Sequence, residues 1–261
     1  MGSGAGLKPI SDGLIFHVDS SNDRFYSGVG NTTYELTGRF SAVISGGMTA
    51  DPANLKSFVF DGVNDYIDCG NSVILDLFNV PTKTFSFWMK PSIGGAIISR
   101  YSQGVSSNTA YGILGSATTI WTSGNGTNAF SINTQESYDW QHYVVEFNSS
   151  VGNVRITKNG SFLAQGNLNF NSGATTVSTL IGMVFDGNTN TNPDYFKGVI
   201  DDIAIYNGAL SASEVTQLYT ASKQVQVITF NTLTPKIYGD PTFSLSATSN
   251  SGLGVTYTSS D

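Results

Sequence analysis

The sequence predicts an all-β protein: a two-sheet antiparallel jelly-roll sandwich with one short C-terminal helix, followed by a partial immunoglobulin-like (Ig-like) β segment. Two observations predict this class. About a dozen short runs rich in β-branched and aromatic residues recur along the chain, with turn residues between them. Charged residues make up only 12% of the 261 residues, and the polarity comes instead from Ser, Thr, Asn and 29 Gly. Many short strands without intervening helices are typical of sandwiches and jelly rolls.

The first half of the chain contains eight predicted strands. Residues 84–90 show the clearest alternation, with Phe85 and Phe87 facing one way and Trp88 the other. Pro91 lacks a backbone N–H, so we expect it to end this strand. The eight runs are residues 14–18, 57–60, 66–69, 84–90, 96–100, 110–114, 118–121 and 129–132.

The second half continues the pattern with five more strands. Asn159-Gly160 is the strongest hairpin signal in the chain, because a two-residue turn needs residues that tolerate positive φ. The strands of this half are residues 142–147, 153–158, 161–164, 179–183 and 198–206.

One helix is predicted near residue 211. Ser211 and Glu214 have the spacing of a capping box, in which the serine oxygen accepts the Glu214 N–H and Glu214 reaches back. Val215, Leu218 and Tyr219 follow at helical spacing on one face. We therefore expect the helix to pack against the sandwich.

The composition changes after Lys223. Residues 224–230, 243–247 and 254–258 form further predicted strands, but a complete Ig-like sandwich needs about 100 residues. We therefore divide the chain into a flexible or vector-derived lead (1–9), a jelly roll (10–223) and the N-terminal fragment of a second β domain (224–261).

Charge and cysteine content restrict the possible partners. The net charge is −7 and the isoelectric point is about 4.6, so the surface repels phosphate backbones and no nucleic-acid partner is expected. No apolar run reaches the roughly 18 residues of a membrane-spanning helix, so no membrane insertion is expected. Cys69, the only cysteine, is expected to be a small buried core residue.

Five segments of the chain form a recognisable series of motifs. They are FVFDGVNDYID (58–68), TFSFWMKP (84–91), DWQHYV (139–144), ITKNG (156–160), and FKGVIDDIAIYN (196–207) with ALSASEV (209–215). In this order they resemble the motifs of laminin G-like jelly rolls of the concanavalin A superfamily, and the resemblance covers about residues 10–223. The tail, with Tyr-Gly-Asp at residues 238–240, resembles the start of bacterial Ig-like repeats, in which this tripeptide recurs.

The resemblance implies a binding module. We expect part of a longer, multidomain, secreted protein of the bacterial cell surface, an adhesin that binds a polysaccharide or a surface glycan or protein. Two alternatives stay open: a bacteriophage tail or capsid decoration protein, and an accessory carbohydrate-binding domain of a secreted polysaccharide hydrolase. The sequence beyond residue 261 would discriminate between them.

Calcium is the expected cofactor. Domains of this superfamily often hold a structural calcium ion between an N-terminal loop and the last strand, and calcium takes oxygen ligands. The resemblance implies Asp19 and Asn22 in the loop, and Asp201 or Asp202 on the strand, as ligands. Since neighbouring strand residues face opposite ways, we expect only one of the two carboxylates to point inward. The alternative is that the pair accepts hydrogen bonds from loop amides.

Glycan binding requires exposed aromatic rings, on which sugar C–H faces stack, and nearby amides or carboxylates for the hydroxyl groups. The alternative is that these aromatic rings cover the core. The candidates in irregular segments are Tyr101, Tyr111, Trp121, Phe185, Asp186, Asn190 and Tyr195.

Catalysis is not expected. Glucanases of this superfamily place two glutamates on one face of a strand as nucleophile and acid. None of the four glutamates of this chain has that neighbourhood: Glu35, Glu136, Glu146 and Glu214. A Ser-His-Asp arrangement could use only His17 or His142, and His142 matches a structural position of the family.

Overall fold

The computed structural model describes residues 10–20, 32–39, 41–51, 57–76, 80–100, 111–117, 119–123, 129–134, 136–170, 177–184, 193–222, 228–230, 237, 239, 241–249 and 257. Within them the first strands are β1 (Leu14–Val18), β2 (Thr32–Tyr34), β3 (Ser41–Ser45), β4 (Thr49–Asp51), β5 (Ser57–Asp61), β6 (Tyr66–Asp68), β7 (Thr82–Arg100), β8 (Tyr111–Gly115), β9 (Thr119–Ser123) and β10 (Ala129–Asn133). The remaining elements are β11 (Gln141–Asn148), β12 (Asn153–Lys158), β13 (Ser161–Asn167), β14 (Leu180–Ile181), β15 (Met183–Val184), β16 (Asp194–Tyr195), β17 (Lys197–Tyr206), helix α1 (Ala212–Ser222), β18 (Ile228–Phe230) and β19 (Ala247–Ser249).

Two antiparallel sheets form the sandwich, which confirms the predicted fold class. In the first sheet the strands follow the order β13, β12, β11, β7 and β17, and β1 and β5 pair with the other edge of β17. In the second sheet the order is β10, β9, β8, β7, β14, β6, β3 and β2. The short strands β2, β3 and β4 were not predicted.

Strand β7 belongs to both sheets. Its first half pairs with β11 and β17, and its second half pairs with β8 and β14. The prediction that Pro91 ends the strand is therefore wrong. The register with β17 shifts beside Gly198, the partner of Pro91, and Gly94 and Gly95 adopt φ of 107° and 132°, so the strand bends there without a break.

The core lies between the two sheets and consists mainly of aromatic and branched aliphatic side chains. Fully burying one such side chain stabilises the fold by about 1.5–3 kcal/mol. Cys69 is a buried free cysteine, as predicted, and burial raises the pKa of its thiol. The core aromatic residues include Phe16, Phe58, Phe60, Phe85, Phe87, Tyr111, Tyr143, Phe147 and Phe196.

The two strongest local signals are confirmed. Asn159 and Gly160 have φ of 51° and 76° and connect β12 to β13 by a two-residue turn. The Ser211 N–H donates to Glu214 Oε2 at 2.7 Å, and the Glu214 N–H donates to Ser211 Oγ at 3.3 Å, so the capping box is present.

Helix α1 packs on the outer face of the first sheet. Val215 and Leu218 are buried there in one cluster with Val144, Ala204 and Tyr206 of the sheet. Tyr219 stacks on Trp88, with ring centroids 5.8 Å apart. The helix therefore closes this part of the outer surface, as the apolar spacing predicted.

The described part of the tail contains one antiparallel pair, β18 and β19. The Phe230 and Tyr257 rings meet edge to face at 5.9 Å. The predicted strand at 243–247 is displaced to 247–249, and most of 254–258 lies outside the described residues. The Ig-like identity of the tail stays a prediction.

Candidate functional site

The predicted carboxylate pair lies beside the C-terminal end of β1. Asp201 Oδ1 accepts hydrogen bonds from the backbone N–H and the hydroxyl of Ser20, at 3.2 and 2.9 Å, and Oδ2 accepts one from Ser57 at 3.3 Å. Asp202 Oδ1 lies 2.7 Å from His17 Nε2. Both carboxylates therefore reach the N-terminal segment, whereas a regular strand would direct only one of them inward.

A β-bulge explains this difference. The register of β17 with β7 shifts between Asp201 and Ala204, and Asp202 adopts a φ of 49°. An extra residue at a bulge re-aims the side chains on either side of it. The alternation rule fails at this point for that reason.

The pKa values of Asp201 and of His17, the partner of Asp202, are both raised. Burial, together with the charges of Asp19 and Asp202, raises the pKa of Asp201 to about 7. Burial works to lower the pKa of His17, but the hydrogen bond and charge of Asp202 prevail and raise it above its usual value. The site therefore concentrates negative charge around a partly desolvated carboxyl group.

The described residues do not by themselves complete a calcium site. Within that part of the chain, no group of three or more His, Cys, Asp or Glu side chains could hold a metal ion. The oxygens of Asp201 are occupied by serine donors, one of them a loop amide, as in the alternative interpretation of the pair. Asn22 lies outside the described residues, so calcium binding stays a prediction.

Tyr111 is not an exposed sugar platform, so its assignment to the ligand site is wrong. The residue is fully buried in β8, and its ring packs against Phe85 and Phe147 with centroids 4.7 and 6.2 Å away. Tyr111 alternates with Ile113, which also faces the core. The alternative, that this ring belongs to the core, is what the structure shows.

Tyr195 does contribute an accessible ring. It lies in β16 and is half-buried, and its centroid is 6.5 Å from that of Tyr66 in β6, with the two planes inclined at 38°. Because Ile67 points into the core, Tyr66 and Asp68 face outwards on the second sheet. Asp194 precedes Tyr195 and is exposed, but neighbouring residues of a strand face opposite ways. We call Tyr66, Asp68 and Tyr195 the tyrosine site.

Sequence reasoning missed Tyr66. The alternation of Tyr66 with buried Ile67 predicts an outward side chain, but its relation to Tyr195 depends on how β16 folds over the sheet. For the other predicted ligand residues the structure does not decide whether they belong to a ligand site. Trp121 lies in β9, in register with Leu114 of β8 and Ser131 of β10. Four lie outside the described residues: Tyr101, Phe185, Asp186 and Asn190.

Two shallow grooves each contain an exposed aromatic ring that the sequence did not single out. One, of about 280 Å³, is lined by Ser92, Ile93, Ser116, Ala117 and Tyr138, and Tyr138 is 55% exposed. The other, of about 300 Å³, is lined by Gln141, Lys158, Asn159, Ser161, Phe162 and Leu163. In the second groove the amides of Gln141 and Asn159 already bond to each other at 2.8 Å.

Each glutamate has a local role in the fold. Glu35 is buried and accepts hydrogen bonds from the backbone of Thr37 and Arg39. Glu136 interacts with the Tyr138 hydroxyl, Glu146 faces Arg155 across β11 and β12, and Glu214 caps the helix. These four side chains lie in four different elements or loops.

Ser86 and His142 form the one Ser–His contact among the hydrogen bonds of the described residues, with Oγ and Nε2 2.8 Å apart. A serine nucleophile needs a histidine that a carboxylate orients through Nδ1, but His142 Nδ1 is buried without a hydrogen-bond partner. Burial lowers the pKa of His142 to about 4, and Tyr219 stacks over the imidazole. The Ser86–His142 hydrogen bond is therefore part of the buried packing beneath helix α1.

A family model matches the chain. The profile described as the concanavalin A-like lectin/glucanases superfamily matches residues 61–216, which is more than half of the chain. A search of curated proteins finds no match.

Solved structures of similar fold are distant in sequence. Domain 4 of AbnA, an extracellular arabinanase from Geobacillus stearothermophilus, in complex with arabinotriose, has a TM-score of 0.56 at 20% identity, over 79% of this chain and 98% of that domain. The binding domain of botulinum neurotoxin DC in complex with SialylT has a TM-score of 0.58 at 16% identity, over 83% and 53%. The same toxin domain in complex with rat synaptotagmin II has a TM-score of 0.57 at 15% identity, over 81% and 52%. The chain thus spans about half the length of the toxin domains.

Proposed function

Because the chain belongs to the concanavalin A-like lectin/glucanases superfamily, we propose that it is a non-catalytic glycan-binding module. The observation that carries the proposal is the tyrosine site on the outer face of the second sheet. Two half-buried phenol rings lie near each other there, and the carboxylate of Asp68 faces the same way as Tyr66. An aromatic ring offers its apolar face to sugar C–H groups, and its hydroxyl group and the carboxylate bind sugar hydroxyls.

The charge of the chain favours a neutral glycan. With a net charge of −7, and with Asp68 on the same sheet face as Tyr66, the surface repels sulfated or carboxylated sugars. The acidic groups can still accept hydrogen bonds from neutral hydroxyls. A neutral polysaccharide is therefore the proposed ligand.

One of the structural neighbours supports this proposal by analogy. The arabinanase domain is in complex with arabinotriose, a neutral trisaccharide. The similarity covers 98% of that domain and 79% of this chain. The toxin domains are in complex with SialylT and with a protein, synaptotagmin II. Protein adhesion is therefore the outcome that we expect if no glycan binds.

Absence of catalysis is part of the proposal. The four glutamates have separate local roles, so they do not supply the paired carboxylates of a glycosidase. The Ser86–His142 contact is covered by helix α1 and lacks an orienting carboxylate at Nδ1. No turnover of the bound glycan is expected.

We propose an extracellular setting, as one module of a larger adhesin of the bacterial surface. The arabinanase neighbour favours a second candidate, an accessory carbohydrate-binding domain of a secreted hydrolase. No helix among the described residues is long and apolar enough to cross a membrane. Calcium, held near Asp19, Asn22 and the Asp201–Asp202 pair, stays part of the proposal.

A glycan array followed by calorimetry tests the site. The substitution Tyr66→Ala or Tyr195→Ala removes one ring face, which is worth roughly 1 kcal/mol or about a fivefold loss of affinity. Tyr34→Ala is the matched control, because Tyr34 is 62% exposed on β2 of the same sheet.

Two further variants distinguish the tyrosine site from the grooves. Tyr138→Ala and Phe162→Ala each remove the exposed ring of one groove and are expected to leave affinity unchanged. A loss of binding in either variant, with Tyr66→Ala and Tyr195→Ala unaffected, would contradict the tyrosine site. No binding to any neutral glycan would contradict the function itself.

A further inference from the structure

Lys83 is buried in an unusual way. It lies near the start of β7, opposite Phe147 of β11, and the whole residue is 1% exposed. Its Nζ donates a hydrogen bond to Asn207 Oδ1 at 3.0 Å. Lysine is almost never buried without an anionic partner, because a desolvated ammonium ion is costly. Here the hydrogen-bond partner is a neutral amide.

The surroundings of Lys83 shift its equilibrium towards the uncharged amine. Burial lowers the pKa of Lys83 to about 8, against the opposing effect of Asp76 and with the help of the Arg100 cation. Asp76 is itself paired with Arg100, at 2.6 Å between Oδ1 and Nε. With such a pKa, roughly one amine in ten is neutral at pH 7. A neutral amine is a nucleophile, whereas an ammonium ion is not.

The Asn207 carboxamide is held beside this amine. Asn207 follows the last residue of β17, Tyr206, which pairs with Thr84 of β7, and its backbone N–H donates to Gly13 at 2.7 Å. Because a carbonyl bond is about 1.2 Å long, the Asn207 Cγ atom lies within about 4.2 Å of Nζ. Asn207 is exposed, so a group that leaves its side chain can enter the solvent.

An unused acceptor lies in the same polar cluster. Asp76 is buried, its Oδ1 faces Arg100, and its Oδ2 has no hydrogen-bond partner. Its charge acts on Lys83. Asp76 does not touch the reacting atoms, but it offers a nearby place for the proton that an ammonium ion must lose.

We propose that Lys83 and Asn207 join in an intramolecular amide (isopeptide) bond. The Nζ–Cγ bond forms and the Cγ–Nδ2 bond breaks. One proton passes from Nζ to Nδ2, which leaves as ammonia, so atoms balance and neither an oxidant nor a co-reactant is needed. The product is a neutral amide, and the cost of keeping a cation at this buried position disappears.

The bond would join two neighbouring central strands that are far apart in sequence. Lys83 and Asn207 are separated by 124 positions, so the crosslink closes a loop that contains most of the jelly roll. A covalent crosslink that closes so long a loop reduces the conformational entropy of the unfolded chain and therefore stabilises the folded state. The inference concerns the scaffold and does not depend on the proposed ligand.

Intact-mass spectrometry of the purified full chain tests the proposal. We expect a mass lower than that of the sequence by one ammonia molecule. Asn207→Ala is expected to show its full sequence mass, and because Asn207 is exposed this variant should fold. A wild-type mass equal to that of the sequence overturns the proposal, as does ammonia loss that persists in Asn207→Ala.

A tryptic map separates the crosslink from the one reaction that mimics its mass. Asn207 precedes Gly208, and a succinimide formed there also loses ammonia. The crosslink blocks cleavage after Lys83 and joins residues 57–100 to residues 198–223, whereas a succinimide leaves these peptides separate and overturns the proposal. In Asn207→Asp, the same two peptides should join with loss of water instead of ammonia.

Discussion

Gly182 lies against the core residue Phe60 and next to Phe196, which follows Tyr195 in the chain. Its replacement by alanine should be strongly destabilising. It lies between β14 and β15 with a φ of 83°, and its carbonyl accepts the Phe196 N–H at 2.9 Å. A Cβ atom at this position would lie 2.2 Å from Cε1 of Phe60. Phe60 is buried and packs edge to face against Phe196, so its ring has little room to move.

The cost of Gly182→Ala has two parts. A non-glycine residue in the left-handed region costs about 1–2 kcal/mol. Inserting a methyl group into a packed core costs about 1–3 kcal/mol more. In a domain of this size each kcal/mol lowers the unfolding temperature by about 2–4 °C, so the expected loss is about 4–20 °C.

Gly70→Ala separates the two parts. Gly70 has a φ of 71°, but no atom lies within 4 Å of the position of its Cβ. This control carries only the backbone cost, about 1–2 kcal/mol or about 2–8 °C. Differential scanning calorimetry of both variants gives the comparison. If Gly182→Ala melts at the same temperature as Gly70→Ala, the packing around Phe60 is looser than the structure indicates and the reasoning fails.

Two further predictions concern the carboxylates beside β1. Burial raises the folded-state pKa of Asp201 to about 7, above its unfolded value, so its contribution to stability is present at low pH and is lost as the pH rises towards 7. Urea denaturation at pH 5 and pH 8 should therefore show a smaller loss of stability in Asp201→Asn than in the wild type, and an equal loss would argue against the burial of this charge. Calcium added to EDTA-treated protein should raise the unfolding temperature of the wild type but not that of Asp201→Asn, and an unchanged wild-type temperature would rule out the predicted ion.

Local chemistry explains what the sequence could predict of the fold. A two-residue turn needs positive φ at Asn159 and Gly160, and a helix start needs a cap such as Ser211, so few residues determine each of these features. Short strands such as β2 and β4 have three residues each, too few to show a period. The continuation of β7 past Pro91 depends on pairing with β17, which is distant in sequence.

The site was harder to predict because exposure depends on which strands pack together. Tyr111 and Ile113 alternate inwards, and this pattern could have assigned Tyr111 to the core. Tyr66 and Tyr195 are 129 positions apart, and nothing local connects them before β16 folds across the second sheet. The bulge at Asp202 is likewise a consequence of pairing, since β17 is in contact with both β1 and β7 there.

The distribution of aromatic side chains over the two sheets decides where a ligand can bind. Trp88 lies in one of the segments that resemble the family, but Tyr219 of helix α1 stacks on it and leaves it buried. Because the helix covers this part of the first sheet, a ligand cannot reach Trp88 there. The outer face of the second sheet carries Tyr66 and Asp68, with the Tyr195 ring close to Tyr66, and helix α1 packs on the other sheet. The proposed sugar contacts therefore rest on the second sheet, where Tyr66 and Tyr195 lie close together.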